Sequence, residues 1–304
     1  MFAHTMRNEE MIFSSDDYEI KAEYFRQAKY CRKVNILQCG STTFSCVTFA
    51  AVALIQLFKA DDMSIYKKQP FMHDIWYPFL SIENHMGVVV FTNLFVVCQG
   101  ACFNSATQCT FIGLMIYSSM RFRLLHIKIK KFGLTPQENP LALLEELIVE
   151  HQDLLQFVKT LNERTKYVML LEFLLNAVSL ASGLLQLVMI KTITQLFSIC
   201  AIILLQLIQI FVLAWSANEI SSLSIADAVA TSNWIGQALM VKKLLLIVLM
   251  RAQVPVGLTA GPFFNMSTVT AVNDIFLDFE GCIHLCVIYD AKFAKLISFK
   301  ECIK

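Results

Sequence analysis

The sequence predicts an all-α fold, a polytopic membrane helical bundle of about five membrane helices with cytoplasmic helical extensions. The first observation is composition: 56% of the 304 residues are hydrophobic and only 16% are charged, against about 25% charged residues in soluble domains. The second is that the apolar residues form long runs without a single charge. The third is that the segment between the second and third runs has helical, amphipathic spacing. So little polar surface argues against a soluble enzyme, and the net charge of +1 gives no reason to expect a nucleic-acid partner.

Four uncharged runs define the predicted membrane helices. A helix needs roughly 20 apolar residues to cross about 30 Å of hydrocarbon, and inside lipid a helix satisfies its own backbone hydrogen bonds. A buried helix of a soluble core could explain one such run, but it is a poor explanation for four in one chain. A fifth, weaker segment is interrupted by Arg251, Pro255 and Gly261. The four runs are 34–58, 84–120, 173–190 and 192–218, and the weaker segment is 244–273.

The distribution of Lys and Arg predicts the orientation, because cytoplasmic segments carry an excess of both. Six precede the first run, eight lie in 121–166 and three in 219–251, so the alternate segments total 17, against three in 59–83 and one at Lys191, which total four. The N-terminus is therefore expected in the cytoplasm. The predicted organisation is a cytoplasmic N-terminal segment (1–33), membrane helices (34–218) with a cytoplasmic amphipathic stretch (121–166), a cytoplasmic anchor region (219–262) and an aberrant last-helix region (263–304).

The cytoplasmic stretch contains an amphipathic helix. Apolar residues recur there at three- and four-residue spacing, while the opposite face is mostly acidic. The apolar stripe needs a partner outside the bilayer, which can be the extensions of neighbouring membrane helices or another subunit. The stripe comprises Leu144, Leu147, Ile148, His151, Leu154, Leu155, Val158 and Leu161.

Residues with catalytic or metal-binding chemistry are sparse, and the sequence predicts no enzyme, no cofactor and no metal. It contains no glycine-rich phosphate loop, no zinc-protease helix motif and no nucleophile elbow. Cys98, Cys102 and Cys109 share one helical face, where core packing is favoured over a metal site because no His or carboxylate joins them. Glu172 near the start of the third run is a functional candidate if it lies within the membrane. A position at the cytoplasmic interface near Lys166 is preferred.

The segments 214–234 and 242–270 carry a recognisable pattern. They show an Asn-Glu step, a run ending in Ser-x-Trp, then K-x-L-L-x-x-x-x-R-x-Q-x-P and L-T-A-G. Together they resemble the C-terminal signature of insect odorant receptors, and the resemblance extends over roughly 25–270. The matching positions are Asn218, Glu219, Ser232, Trp234, Lys243, Leu244, Leu245, Arg251, Gln253, Pro255, Leu258, Thr259, Ala260 and Gly261.

The resemblance implies a subunit of an odorant-gated cation channel in olfactory neurons. Its expected partners are small apolar odorants, the lipid bilayer and a common olfactory co-receptor subunit in a heterotetramer. Odorants would bind in the outer half of the bundle, and the final helices would line the pore. The candidate ligand-binding residues are Leu54, Phe58, Met86, Phe91, Phe95, Phe197 and Leu204. The candidate subunit-anchor residues are Asn218, Trp234, Leu244, Leu245, Leu246, Arg251, Gln253, Pro255, Thr259 and Gly261. The candidate pore-lining residues are Val269, Val272 and Phe276.

The sequence departs from that family at both ends. Against the family's seven membrane helices, the first two are expected to be missing, which leaves the orientation unchanged. After Thr270 the chain carries Asp274, Asp278 and Glu280 where the last membrane helix is expected. Two alternatives to a conducting odorant receptor therefore stay open: a gustatory-type chemoreceptor and a non-conducting truncated product.

Overall fold

A computed structural model shows six helices and one short hairpin in the residues it describes. These residues are 17–59, 86–133, 139–189, 193–222, 225–254, 256–262 and 264–269, with residues 9, 12, 13 and 273. The helices are α1 (Tyr18–Lys59), α2 (Met86–Lys131), α3 (Pro140–Met189), α4 (Ile193–Ser222), α5 (Ile225–Thr231) and α6 (Leu239–Ala252). The strands β1 (Thr259–Ala260) and β2 (Phe264–Asn265) form the hairpin.

Three of the described helices are long and apolar enough to cross a membrane, and they correspond to Gly87–Lys131, Pro140–Leu187 and Ile199–Thr231. Helix α1 passes through the first uncharged run as one continuous helix. The predicted all-α membrane bundle is thereby confirmed.

Helix α2 has 46 residues, which corresponds to roughly 69 Å at 1.5 Å per residue. Since the hydrocarbon core is about 30 Å thick, such a helix must continue well beyond the bilayer. The same holds for α3, which has 50 residues. The predicted extensions are therefore continuous with the membrane helices.

The main hydrophobic core lies where the C-terminal half of α2 meets the N-terminal half of α3, the end of α4, and α5, α6 and β1. It buries most of the predicted amphipathic stripe of α3 against elements of the same chain. The partner of that stripe is therefore the set of neighbouring helix extensions, one of the two alternatives left open by the sequence. Buried members from successive elements are Ile129, Leu144, Val158, Ile220, Val229, Leu245 and Leu258.

The apolar part of the bundle is packed more sparsely than this core. Many large side chains there point outward, as expected where lipid tails rather than water surround the helices. In a bilayer such exposure carries no hydrophobic penalty. Examples are Phe44 and Val47 on α1, Phe95 and Phe103 on α2, Leu174 and Val178 on α3, and Leu204 and Phe211 on α4.

The hairpin is held against α3. Its strands pair antiparallel, with Thr259 opposite Asn265. The backbone N–H of Thr259 donates to Oδ1 of Asn162 at 2.8 Å, and that of Gly261 donates to the carbonyl oxygen of Lys166 at 2.8 Å. Gly261 has φ of 63°, in the left-handed region that glycine adopts without a steric penalty. The turn thus fixes the chain after α6 to the middle of α3.

Candidate ligand site and subunit anchor

The candidate ligand residues that can be located lie on outward-facing helix surfaces. Phe91 and Phe95 are one helical turn apart on α2, 68% and 59% exposed, and their rings stack with centroids 6.5 Å apart. Leu204 lies on α4 and is 59% exposed. The side chains of the remaining four candidates lie outside the described residues, although their positions fall on α1, α2 and α4: Leu54, Phe58, Met86 and Phe197. Enclosure of an odorant by this set stays a prediction.

A polar pair connects α2 and α3 within the apolar part of the bundle. The side-chain amide of Gln108 donates to the Glu172 carboxylate, and Gln108 is almost completely buried. Glu172 is thus held by a residue from the second uncharged run, and its position at the cytoplasmic interface stays a prediction. A glutamine inside an uncharged run was the available signal, because such groups bond across helices in lipid.

Two thiols lie at the contact between α1 and α2. The Sγ atoms of Cys39 and Cys109 are 3.6 Å apart, and the Ser105 hydroxyl donates to Cys39 Sγ at 3.4 Å. Among the described residues, no group of three or more His, Cys, Asp or Glu side chains could hold a metal ion. Cys109 therefore contributes to helix packing.

Ion pairs connect the basic end of α2 to helices α3 and α4. Arg123 contacts Glu219 of α4 at 2.6 Å, and Lys128 contacts Glu150 of α3 at 2.6 Å. Arg121 also reaches Glu150, at 3.4 Å. Both partners of the Arg123–Glu219 pair are at least two-thirds buried, so the pair contributes more than an exposed one. Glu219, which the sequence identified only as a motif residue, joins α4 to α2.

The same end of α2 also contacts the start of α1 and the residue before it. Lys131 contacts Asp17 at 2.7 Å and Glu19 at 2.9 Å. The hydrogen bond from Lys131 lowers the pKa of Asp17 below its ordinary value of 3.8. The basic cluster therefore fixes the start of α1 against the end of α2.

Helix α6 has two apolar faces. The side chains of Val241, Leu245 and Val248 face the core of the same chain, and Leu245 is only 3% exposed. On the other face Leu246 and Ile247 are 56% and 57% exposed. Leu246 and Ile247 therefore form an exposed apolar surface on α6 that no described element of the same chain covers.

The other anchor candidates are distributed around this helix. Trp234 packs against the main core before α6 begins, and Asn218 is half-buried near the end of α4. Gln253 follows α6, and its N–H bonds to the Leu249 carbonyl oxygen at 3.2 Å. Leu244 is half-buried and Arg251 is exposed on α6, Thr259 and Gly261 belong to the hairpin, and Pro255 lies outside the described residues.

One of the three pore candidates can be located. Val269 is exposed and lies at the end of the described segment that follows the hairpin. Val272 and Phe276 lie outside the described residues, so a pore-lining role stays a prediction for all three.

Long membrane helices that continue into a packed extramembrane core define the chain as a polytopic helical membrane protein. The model of the family described as 7tm Odorant receptor matches residues 7–273. The chain therefore belongs to the odorant receptor family, as its C-terminal motifs indicated. The match is to a family of receptors and not to one of enzymes.

Individual relatives are more distant. The chain is 27% identical over 186 residues to odorant receptor 10 of Aedes albopictus, covering 59% of this chain and 50% of that protein. It is 31% identical over 128 residues to odorant receptor Or2 of Anopheles gambiae, covering 41% of this chain and 34% of that protein. It is 25% identical over 170 residues to putative odorant receptor 85d of Drosophila melanogaster, covering 55% of this chain and 41% of that protein. The chain spans half or less of the length of these curated relatives.

Solved structures share the fold. The olfactory receptor OR5 of Machilis hrabei in complex with eugenol superposes with a TM-score of 0.75 at 16% identity, covering 90% of this chain and 70% of that one. A second structure of OR5 from Machilis hrabei superposes with a TM-score of 0.72 at 14% identity, covering 93% of this chain and 75% of that one. At such low identity these similarities show the architecture alone.

Proposed function

We propose that this chain is an odorant receptor subunit of a ligand-gated cation channel that detects small volatile compounds in olfactory neurons. The family match over residues 7–273 carries the proposal. The similarity to the structure of an olfactory receptor in complex with eugenol supports a small organic ligand. Opening then requires that the ligand bind the open arrangement more tightly than the closed one. The family match also favours an odorant receptor over the gustatory-type alternative.

The odorant is proposed to contact the outer halves of the membrane helices, with the stacked rings of Phe91 and Phe95 as part of the wall. Replacing either by alanine should shift the rank order of ligands and leave surface expression unchanged. The matched control is Phe103→Ala, an equally exposed phenylalanine three turns further along α2, which should leave the rank order unchanged. If Phe91→Ala and Phe95→Ala lower only surface expression, they are packing residues and the pocket lies elsewhere.

We propose that the exposed face of α6 is the contact with a co-receptor subunit in a heterotetramer. Leu246, Ile247 and Met250 are all more than half exposed on this face, and an apolar patch outside the membrane is stabilised by a protein partner. Leu245 lies on the opposite, buried face. A charge at Leu245 would disrupt the core of the subunit itself and would not report on assembly.

Co-purification with the co-receptor tests this assignment. Leu246→Asp and Ile247→Asp should each abolish co-purification while the subunit still elutes as a folded species in detergent. Gln152→Asp is the matched control because it adds the same charge at an exposed position of α3, away from the apolar face of α6. Undiminished co-purification of both α6 variants would exclude this face from the contact.

The proposed location is the plasma membrane with the N-terminus in the cytoplasm. A cysteine placed at Thr135 should be protected from a membrane-impermeant thiol label in intact cells, whereas one at Ser64 should react. The unsubstituted chain provides the background from native cysteines. Labelling at position 135 but not at 64 would reverse the orientation.

A second candidate is a subunit that binds partners but conducts weakly, and the acidic residues Asp274, Asp278 and Glu280 favour it. Each costs roughly 2.5–3.5 kcal/mol near the centre of a membrane helix, while an apolar residue there contributes only about 0.3–0.6 kcal/mol. In a continuous helix Glu280 would project about 200° away from Asp278, so the three side chains would not all face one pore. Co-expression with a co-receptor should give little odorant-evoked current. A robust current that is lost on substitution of Phe276 would exclude this candidate.

A further inference from the structure

An open cavity of about 580 Å³ lies between the N-terminal half of α1 and the C-terminal half of α2. Its volume is within the range of about 300–1,000 Å³ typical of small-molecule sites. Much of its wall is carbon and sulfur, from residues such as Cys31, Ile36, Ile116 and Met120. On α1 the cavity reaches no further than Cys39, whereas the odorant candidate Leu54 is several turns beyond. The cavity is therefore distinct from the proposed odorant site.

Three polar atoms in the residues that line this cavity are buried and have no hydrogen-bond partner among the described residues. They are Oε1 of Gln27, Oδ1 of Asn35 and the hydroxyl oxygen of Tyr117. Gln27 is only 6% exposed. Unpaired polar atoms at this depth are rare, because leaving them unbonded costs free energy.

The amide nitrogens of the same side chains are already used. Nε2 of Gln27 donates to Glu23 at 2.9 Å, and Nδ2 of Asn35 donates to Cys31 Sγ at 3.7 Å. What remains is the acceptor oxygen of each amide and the hydroxyl of Tyr117. The complementary ligand must therefore offer a hydrogen-bond donor.

We propose that this cavity is a second small-molecule site, which binds a hydroxyl-bearing amphiphile such as an aliphatic alcohol. The alkyl part lies along the apolar wall and the hydroxyl group donates to Gln27 Oε1 or Asn35 Oδ1. Neighbouring side chains cover these atoms, so binding requires rotation of the terminal amides about torsions that are intrinsically broad. A hydroxyl on a glycerol lipid shares this chemistry.

Photolabelling of the full chain in nanodiscs tests the proposal. The probe is an octan-1-ol analogue carrying a diazirine, compared with an octane analogue that carries the same group but no hydroxyl. The alcohol probe should modify 24–39 and 113–120, as mapped by mass spectrometry, far more than the octane probe does. Excess octan-1-ol should compete. Monoolein as a competitor distinguishes a free alcohol from a glycerol lipid. If monoolein reduces labelling by the alcohol probe, a glycerol lipid also enters the cavity.

The matched variants are Gln27→Leu and Gln38→Leu. Both glutamines are buried on α1, but only Gln27 lines the cavity. Gln27→Leu should weaken competition by octan-1-ol about 3- to 10-fold, as expected for one lost hydrogen bond, and Gln38→Leu should leave it unchanged. If Gln27→Leu does not fold, Asn35→Leu takes its place.

Equal labelling by the alcohol and octane probes would overturn the proposal, because the cavity would then hold only water or lipid chains. Equal effects of Gln27→Leu and Gln38→Leu on competition by octan-1-ol would overturn it for the same reason. Adducts confined to the outer halves of the helices would overturn it too. None of these outcomes depends on odorant-evoked current, so the result stands apart from the proposed receptor function.

Discussion

Replacing Gly261 by alanine should destabilise the subunit through the hairpin that fixes the chain to α3. Gly261 has φ of 63°, and an L-residue in this left-handed region costs about 1–2 kcal/mol. The added Cβ would lie 2.8 Å from Cδ2 of Leu170, so the leucine must rotate away. An off-rotamer torsion costs about 0.5–1.5 kcal/mol. The expected loss of unfolding free energy is the sum of these two terms, roughly 1.5–3.5 kcal/mol.

Thermal stability in detergent, followed by fluorescence-detected size-exclusion chromatography, measures this loss. At about 2–4 °C per kcal/mol, the apparent midpoint should fall by roughly 3–14 °C. Gly236→Ala is the matched control, because no atom lies within 4 Å of the position of its Cβ. It should change the unfolding free energy by less than about 0.5 kcal/mol. Equal midpoints for the Gly261 and Gly236 variants would refute the argument from backbone strain and contact.

Three further substitutions test other contacts around the main hydrophobic core. Gly133→Ala should lower the midpoint more than Gly261→Ala, because its Cβ would lie 2.6 Å from the backbone oxygen of Asn233, which cannot rotate away; a smaller shift would contradict this. Glu219→Gln should cost about 1–3 kcal/mol, since it weakens the 2.6 Å pair with Arg123, and an unchanged midpoint would count against that pair. Because Lys131 lowers the pKa of Asp17, the stability from this contact is complete above the ordinary carboxyl pKa of 3.8 and is lost as pH falls through the lower folded value. Asp17→Asn should remove this dependence of stability on acid pH. The loss is expected to be below about 1 kcal/mol because the pair is partly exposed to solvent. An unaltered pH dependence in the Asp17→Asn variant would contradict the role of this contact.

The features that follow from local spacing and composition were predictable from the sequence. The uncharged runs coincide with long helices, and the amphipathic stripe that includes Leu144 and Val158 is buried in the main core. Both patterns depend on the period of a helix and on the thickness of a bilayer, which are the same in every protein. The C-terminal motifs identified the family because they occur together and in order.

The contacts between elements were not predictable in the same way. The hairpin has strands of only two residues, and its bonds to Asn162 and Lys166 join positions far apart in the sequence. The hydrogen bond between Gln108 and Glu172 was not predicted, because one sequence does not show which residue of the facing helix lies opposite. The three leucines 244–246 were all expected to be buried at a subunit contact. They point in different directions around the helix. Leu245 lies four residues after Val241 and three before Val248, so it shares their buried face, whereas Leu246 is exposed.

The distribution of packing suggests how a ligand could act on distant parts of this chain. Helix α2 carries Phe91 at one end, bonds to Glu172 through Gln108 in its middle and pairs with Glu219 through Arg123 further along. Its N-terminal end is sparsely packed, whereas its C-terminal end is fixed in the main core. A displacement of the N-terminal end by an odorant would therefore be resisted mainly at these two polar contacts. Coupling requires that the contacts differ between closed and open states, so Gln108→Leu and Glu219→Gln should both alter the odorant concentration for half-maximal response, even though neither residue lies in the proposed odorant site.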